Sequence, residues 1–261
     1  MATLFDVTLD LARHVRGVTR HKVTDVSGKR ITSNRMNNGM GEYLNGTVWV
    51  MTGESAGHFS KIKSAKDNFI IPEDDTLNVA VGDTVMMCPW IDFDLDDLIE
   101  AINSVLYRYP IYAWNNTLTW DAQNLVYDLP NGVSDIRQVK VASLSGTGTF
   151  VTSHKWLEEN RQLRFSSAGS LYGDGGEIQI GYRKMHGEVY EATDEIDPAV
   201  DLNYLRNMAF LYLWRNLIIV QHKDNPIAAD MYNEAKVYES EYTKFNQPER
   251  NIPLRSFYTR W

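Results

Sequence analysis

The apolar positions of the chain keep two rhythms. From Leu4 to Val18, the residues Leu4, Val7, Leu11, Val15 and Val18 recur at the three- and four-residue spacing of a helix with one buried face. Arg13, His14 and Arg16 gather near the end of that run, where positive charge suits the helix dipole. A second helical run starts at Asp94, a residue type that caps helix N-termini, with Asp97 three positions on and Pro110 as the stop. Its apolar face is Leu95, Leu98, Ile99, Ile102, Val105, Leu106 and Tyr109. A third run, from the cap-and-proline pair Asp197-Pro198 to about Val220, is apolar nearly all round. A fourth is expected from Asn225-Pro226 to Phe245, with Ile227, Met231, Tyr238 and Tyr242 on one stripe.

Between these runs the period shortens to two. NGTVWVMT, HFSKIKSA, DNFIIP and GDTVMMC predict strands over residues 43–87. NLVYDLP, DIRQVKVAS, GTFVT, RQLRFSS and GEIQIGYRK predict a second set, with SGTG and GDGG as tight turns. Residues 19–42 are polar, rich in Gly and Asn and without a period, which predicts an exposed loop. The expected fold is α+β: a helical bundle core of about four helices carrying two antiparallel β insertions. Its expected segments are an N-terminal helix (1–18), an exposed loop with a small β module (19–90), a core of helix, hairpins and closing helix pair (91–245), and an extended docking tail (246–261).

Composition narrows the class. The 261 residues are 43% hydrophobic and 23% charged, enough for a real core and ordinary for a globular chain. The formal net charge of −8 speaks against a general nucleic-acid binder. The charge is uneven: residues 1–66 carry ten Lys/Arg and five Asp/Glu, residues 67–243 twelve and 28, and residues 244–261 four and one. One cysteine, Cys88, excludes an intrachain disulfide and reads as a small buried apolar group. The start is periodic rather than continuously apolar, unlike a signal peptide. No apolar run reaches the roughly 18 residues of a membrane span, and the nearest, Met208 to Val220, contains Arg215 and Asn216. A soluble protein made in a reducing compartment is expected.

Candidate chemistry is sparse. Gly53-Glu54-Ser55-Ala56-Gly57 spells G-x-S-x-G, but a nucleophile elbow needs a helix directly after the serine. HFSKIKSAKDNFIIP reads as further strand, so a β-turn accounts for both glycines. His14, His21, His58, His154, His186 and His222 share no metal-site spacing. Asp92, Asp94 and Asp96 imitate a calcium loop, yet Asp97 stands where that loop needs glycine and Asn103 where it needs glutamate. GDGG at 173–176 lacks the Lys-Ser/Thr of a phosphate loop. The sequence therefore assigns no catalytic, cofactor-binding or metal-ligating residue. Trp49, Trp90, Trp114, Trp120 and Trp156 flank strands or turns, where core packing is the plain reading and a carbohydrate platform the alternative.

Three stretches carry a family likeness. They are DLDDLIEAINSVLYRYP leading into NLVYDLPNGVSDIRQVKV, then KWLEENRQLRFSS with GEIQIGYRK, and last DLNYLRNMAFLYLWRNLI with AADMYNEAKVYESEYTKF. In this order they resemble the head–tail connector (adaptor) proteins of tailed bacteriophages, over about residues 91–245. The resemblance implies a homo-oligomeric ring of about twelve copies at the virion neck, assembled in the host bacterial cytoplasm. It implies contact with the portal protein on one side and a downstream neck or tail protein on the other, with genomic DNA passing through unread. The docking tail toward the portal would use Leu254, Arg255, Phe257, Tyr258, Arg260 and Trp261. The subunit interface would use the all-round apolar helix through Leu205, Phe210, Trp214 and Ile218. A tail terminator or other neck ring is the alternative within that class, and a module binding glycan or host receptor the alternative outside it.

Overall fold

The computed structural model describes residues 1–218 apart from 16, 37–41, 90–92, 145–147 and 168–170, together with Asn233, Lys236, Val237 and Ser240. Two compact units emerge, one from residues 1–108 with 187–218 and the other from 109–186.

The first unit begins with α1 (Leu4–Val15), which buries Leu4, Phe5, Val7, Leu9, Leu11 and Ala12. It ends short of Val18, and Gly17 takes a φ of +83° just beyond it, a conformation glycine enters without steric cost. Seven strands follow: β1 (Thr19–Lys22), β2 (Asp25–Ser27), β3 (Arg30–Thr32), β4 (Thr47–Val50), β5 (Phe59–Lys66), β6 (Phe69–Pro72) and β7 (Thr84–Cys88). They form one antiparallel sheet in the order β1-β7-β4-β5-β6-β3-β2. Strand β5 is the joint of that sheet. Its start, Phe59–Lys61, pairs with β4, and its remainder pairs with β6 across a register shift between Ile62 and Ser64. The shift bends the sheet into a half-barrel around Val48, Val50, Ile62, Ile70, Val85 and Met87.

Next comes α2 (Leu95–Leu106), which starts as its sequence predicts. Asp94 accepts from the backbone of Asp96 and Asp97, and the Asp97 carboxylate accepts from the Asp94 N–H at 2.7 Å, a complete capping box.

The second unit holds β8 (Ile111–Thr119), β9 (Val126–Asp128), β10 (Ile136–Ala142), β11 (Phe150–Ser153), β12 (Trp156–Glu159), β13 (Gln162–Phe165) and β14 (Glu177–Lys184). They make a four-stranded sheet, β11-β10-β14-β8, and a three-stranded one, β12-β13-β9. Both are antiparallel and share a single core. Trp120, Tyr127, Leu163 and Phe165 meet Ile136, Val139, Val141, Ile178 and Ile180 there. The β12–β13 hairpin turns through Asn160 and Arg161 at φ +52° and +60°, the positive pair of a type I′ turn.

Back in the first unit, α3 (Leu202–Leu213) packs on α1 and α2 and runs on as a π-helical turn, Trp214–Ile218.

The expected helical bundle core of about four helices does not form. The described chain has three helices of twelve residues against fourteen strands in three antiparallel sheets. The predicted fourth helix lies outside the described residues except for Asn233, Lys236, Val237 and Ser240, which are helical. Two misreadings explain the imbalance. The stretch 19–42, expected as loop, holds β1, β2 and β3, which are three or four residues long and mostly exposed, too short to show a period. Residues 111–119 hold the longest strand, yet three consecutive polar residues, Asn115, Asn116 and Thr117, break its alternation at a bulge. The third helix also starts later than expected. Its cap is Asp201, which accepts from the N–H groups of Asn203 and Tyr204. Asp197 instead closes a turn through the Ala199 N–H, with Pro198 in the middle.

Two buried polar side chains of the first unit bear on its stability. Trp49 on β4 is fully buried, and its indole N–H donates to Thr8 Oγ1 on α1 at 3.1 Å. Trp49→Phe is expected to cost about 1–2 kcal/mol, the loss of one buried bond, and Trp49→Ala about 3–5 kcal/mol; urea unfolding followed by circular dichroism measures both. His21 on β1 is also buried, and burial holds its imidazole below the ordinary value of 6.5. A depressed basic group favours the folded state above its unfolded pKa, and that contribution is lost as pH falls from 6.5 through the lower folded value. His21→Gln is expected to flatten the fall of melting temperature across that acidic window, measured against wild type.

Candidate interaction surface

A groove of about 750 Å³ runs along the outer face of α2. Asp96, Ile99, Glu100, Asn103 and Ser104 line it from that helix, Tyr107 and Arg108 close its end, and Glu188, Tyr190 and Tyr212 form the facing side. Helical spacing explains the first set: positions 96, 99, 100, 103, 104 and 107 share one stripe, opposite the buried Leu98, Ala101, Ile102 and Val105.

The facing wall is tied to α2 by Asn103. Asn103 Nδ2 donates to the Val189 carbonyl at 2.8 Å, and its Oδ1 accepts from the Val189 N–H at 2.9 Å. The amide thus pairs with the extended chain as a second strand would. Asp194 then accepts from the N–H groups of Tyr190 and Glu191, which hold its carboxyl below the usual range.

The groove's polar groups come as phenol–carboxylate pairs. Tyr212 donates to Glu100 at 2.8 Å, and Tyr190 donates to Glu188. These bonds hold both phenols above their ordinary values, so each phenol stays protonated and keeps donating. Tyr107 and Tyr190 are largely exposed. Three carboxylates, three tyrosines and one arginine suit a cationic segment: carboxylates accept from guanidinium or ammonium, and ring faces attract the same cations. At the N-terminal end of α2, Lys61 of β5 bonds Asp94 at 2.7 Å and also Asp96. Burial opposes that ammonium, but the two carboxylates outweigh it and raise its pKa.

Elsewhere the sequence's candidates have structural duties. Gly53–Gly57 is the turn between β4 and β5, and Ser55 Oγ accepts from the Asn78 N–H at 2.8 Å. Gly53 sits at φ +96°, and a Cβ there would fall 2.2 Å from the Asp83 carboxylate. Among the described residues no group of three or more His, Cys, Asp or Glu could hold a metal ion; Asp92 lies outside them. Trp49 and Trp120 are buried and have no face to offer a sugar, whereas Trp114 is 43% exposed. Leu205 is fully buried within its own unit, Phe210 packs edge-on against His14 of α1, and Trp214 lies against Phe210. Ile218 belongs to the π turn, and its side chain is not among those described. The tail residues Leu254, Arg255, Phe257, Tyr258, Arg260 and Trp261 lie outside the described residues.

The sequence reading missed the groove. Glu188 and Tyr190 sit in a stretch with no period, and they meet α2 through a contact spanning 86 positions. The only local signal was the polar stripe of α2 itself. No protein-family model matches the chain, and no curated protein matches it.

Asn103→Ala is expected to destabilise the protein by about 1–3 kcal/mol, two side-chain-to-backbone bonds being lost. Hydrogen exchange should quicken at the Val189 amide while the amides of β4 and β7 keep their protection.

Proposed function

We propose that the chain is a structural protein of a tailed-phage neck, a ring-forming head–tail adaptor that binds the portal and links the DNA-filled head to the tail. The observation that carries this reading is the use made of the three resembling stretches. The first supplies α2 and then β9 and β10, the second the β12–β13 hairpin and β14, and the third α3. The helices α2 and α3 pack on each other and on α1, so early, middle and late parts of the chain meet in one hub. Between them the chain makes two β excursions, at residues 19–88 and 111–184. A part with several separate outer surfaces suits a protein that must touch its own copies, a portal and a downstream protein at once. Within this reading the groove on α2 receives a cationic segment of one of those partners. The tail, with four Lys/Arg against one Glu over residues 244–261, serves the portal side.

One observation favours a reading of another class. Trp114 and Tyr112 lie edge to face at 5.4 Å on an open sheet surface, beside Gln138 and Lys140. That is chemistry suited to a sugar ring, and glycan-array binding lost on Trp114→Ala would favour it.

The test of the adaptor reading is assembly. The purified protein should bind isolated portal rings, and particles lacking it should be filled or leaking heads without tails; tailed, infectious particles would overturn it. Deletion of residues 248–261 should leave the circular dichroism spectrum unchanged and abolish portal binding. Insoluble protein would show instead that the tail belongs to the core.

A further inference from the structure

The edges of the three sheets differ in one respect. The seven-stranded sheet ends in β1, with Arg20, His21 and Lys22, and β2, with Asp25. The three-stranded sheet ends in β12, with Glu158 and Glu159, and β9, with Asp128. Charged side chains on short strands are the usual guard against edge-to-edge pairing. The four-stranded sheet has no such guard. Its edges are β8, Ile-Tyr-Ala-Trp-Asn-Asn-Thr-Leu-Thr, and β11, Phe-Val-Thr-Ser, without one acidic or basic side chain or proline between them.

We propose that these two edges are the seam between neighbouring copies of this chain, β8 of one copy adding to β11 of the next. The inference rests on the ring reading above and names its subunit contact. Three arguments select a second copy as the occupant. First, the sheet is antiparallel with an even number of strands, so its two edges run in opposite directions. Placed head to tail around an axis, β8 and β11 meet antiparallel, the pairing used throughout the chain. The contact is heterologous and closes into a ring rather than a dimer.

Second, the charges match. Residues 109–186 carry seven Lys/Arg and seven Asp/Glu, so identical copies meeting through this unit bring no net charge together. The rest of the acidic stretch is far from neutral: residues 67–108 carry one Lys/Arg against ten Asp/Glu, and residues 187–243 four against eleven. The seam itself buries no acidic or basic side chain of β8 or β11.

Third, aromatic and β-branched side chains stand on one sheet face at both edges. Trp114 and Tyr112 lie over Gly181 of β14, where a Cβ would fall 2.0 Å from the Tyr112 hydroxyl. That places them on the outer sheet face, where Trp114 remains 43% exposed. Phe150 and Thr152, opposite Ala142 and Lys140, occupy the same face at the far edge. Aromatic and β-branched partners across antiparallel strands stabilise pairing. The bulge between Asn115 and Leu118 limits the ladder, leaving the unbroken run Ile111–Asn115 for the four residues of β11.

Disulfide trapping tests the seam, because the single native thiol, Cys88, is buried. Paired strands bring facing Cβ atoms to about 4.5–5.5 Å, within reach of a disulfide after small adjustment. Ala113→Cys with Val151→Cys probes the inner face, and Tyr112→Cys with Thr152→Cys the outer face in the same register. The full-length protein is oxidised alone and on portal rings, with circular dichroism confirming the fold of each variant. A ladder of covalent multimers from at least one pair, with each single variant staying monomeric, is the expected result. Covalent dimers from a single variant would mean that like edges meet and would overturn the proposal. Rings that assemble on portal without cross-linking in either pair would overturn the seam and leave the adaptor reading standing. Failure of wild type to bind portal would overturn that reading and the seam with it.

Discussion

A buried indole N–H must find an acceptor, and for Trp49 that acceptor is the hydroxyl of Thr8. The first unit is organised around this requirement. Thr8 donates to the Phe5 carbonyl one turn back in α1 and accepts from Trp49, so one hydroxyl serves helix and sheet together. β4 has all four residues buried because β5 and β7 flank it within the half-barrel while Trp49 reaches α1. The start of α1 is fixed in turn by backbone bonds from Leu4 and Phe5 to Asp194 and Ala192. The same stretch, 187–194, forms the far wall of the groove through Asn103. Sheet, helices and groove are thus tied by a few polar contacts between segments distant in sequence.

That distance explains what the sequence could and could not disclose. The capping box at Asp94 and Asp97 was legible because every partner lies within three residues. The GESAG turn was legible too, since glycine spacing and the strand after it are local features. Strands β1 to β3 were not. Thr19 pairs with Met87 and Ile31 with Ile70, so their conformation is set by partners 68 and 39 positions away rather than by their own polar residues. The all-round apolar helix was read as a surface for other subunits. Leu205 shows the competing explanation: α1, α2 and α3 bury one another, and a helix among such neighbours needs apolar residues on several sides.

The groove was hidden for a further reason. Its floor and far wall come from Tyr212 and residues 188–190, which no periodicity connects to α2. Its acidity was visible only as part of a broad excess over residues 67–243. The fold divides that excess. Residues 109–186 are balanced, so the negative charge belongs to 67–108 and 187–243, which supply the groove's three carboxylates.

This division bears on how copies could associate. Identical surfaces with a large common charge repel one another, and the repulsion grows with every copy added to a closed assembly. Contacts through the acidic unit would therefore need an oppositely charged partner, and the basic ends of the chain are one source of such charge. Contacts through the balanced β unit need none. Strand addition is suited to the same place for an independent reason: its stability comes from backbone hydrogen bonds, which require no side-chain charge to form. An uncharged sheet edge within a charge-balanced unit is what self-association demands, while the acidic, tyrosine-lined groove has the chemistry for a different molecule. Separating the two kinds of contact onto different units would let copies bind one another and a cationic partner without either contact opposing the other.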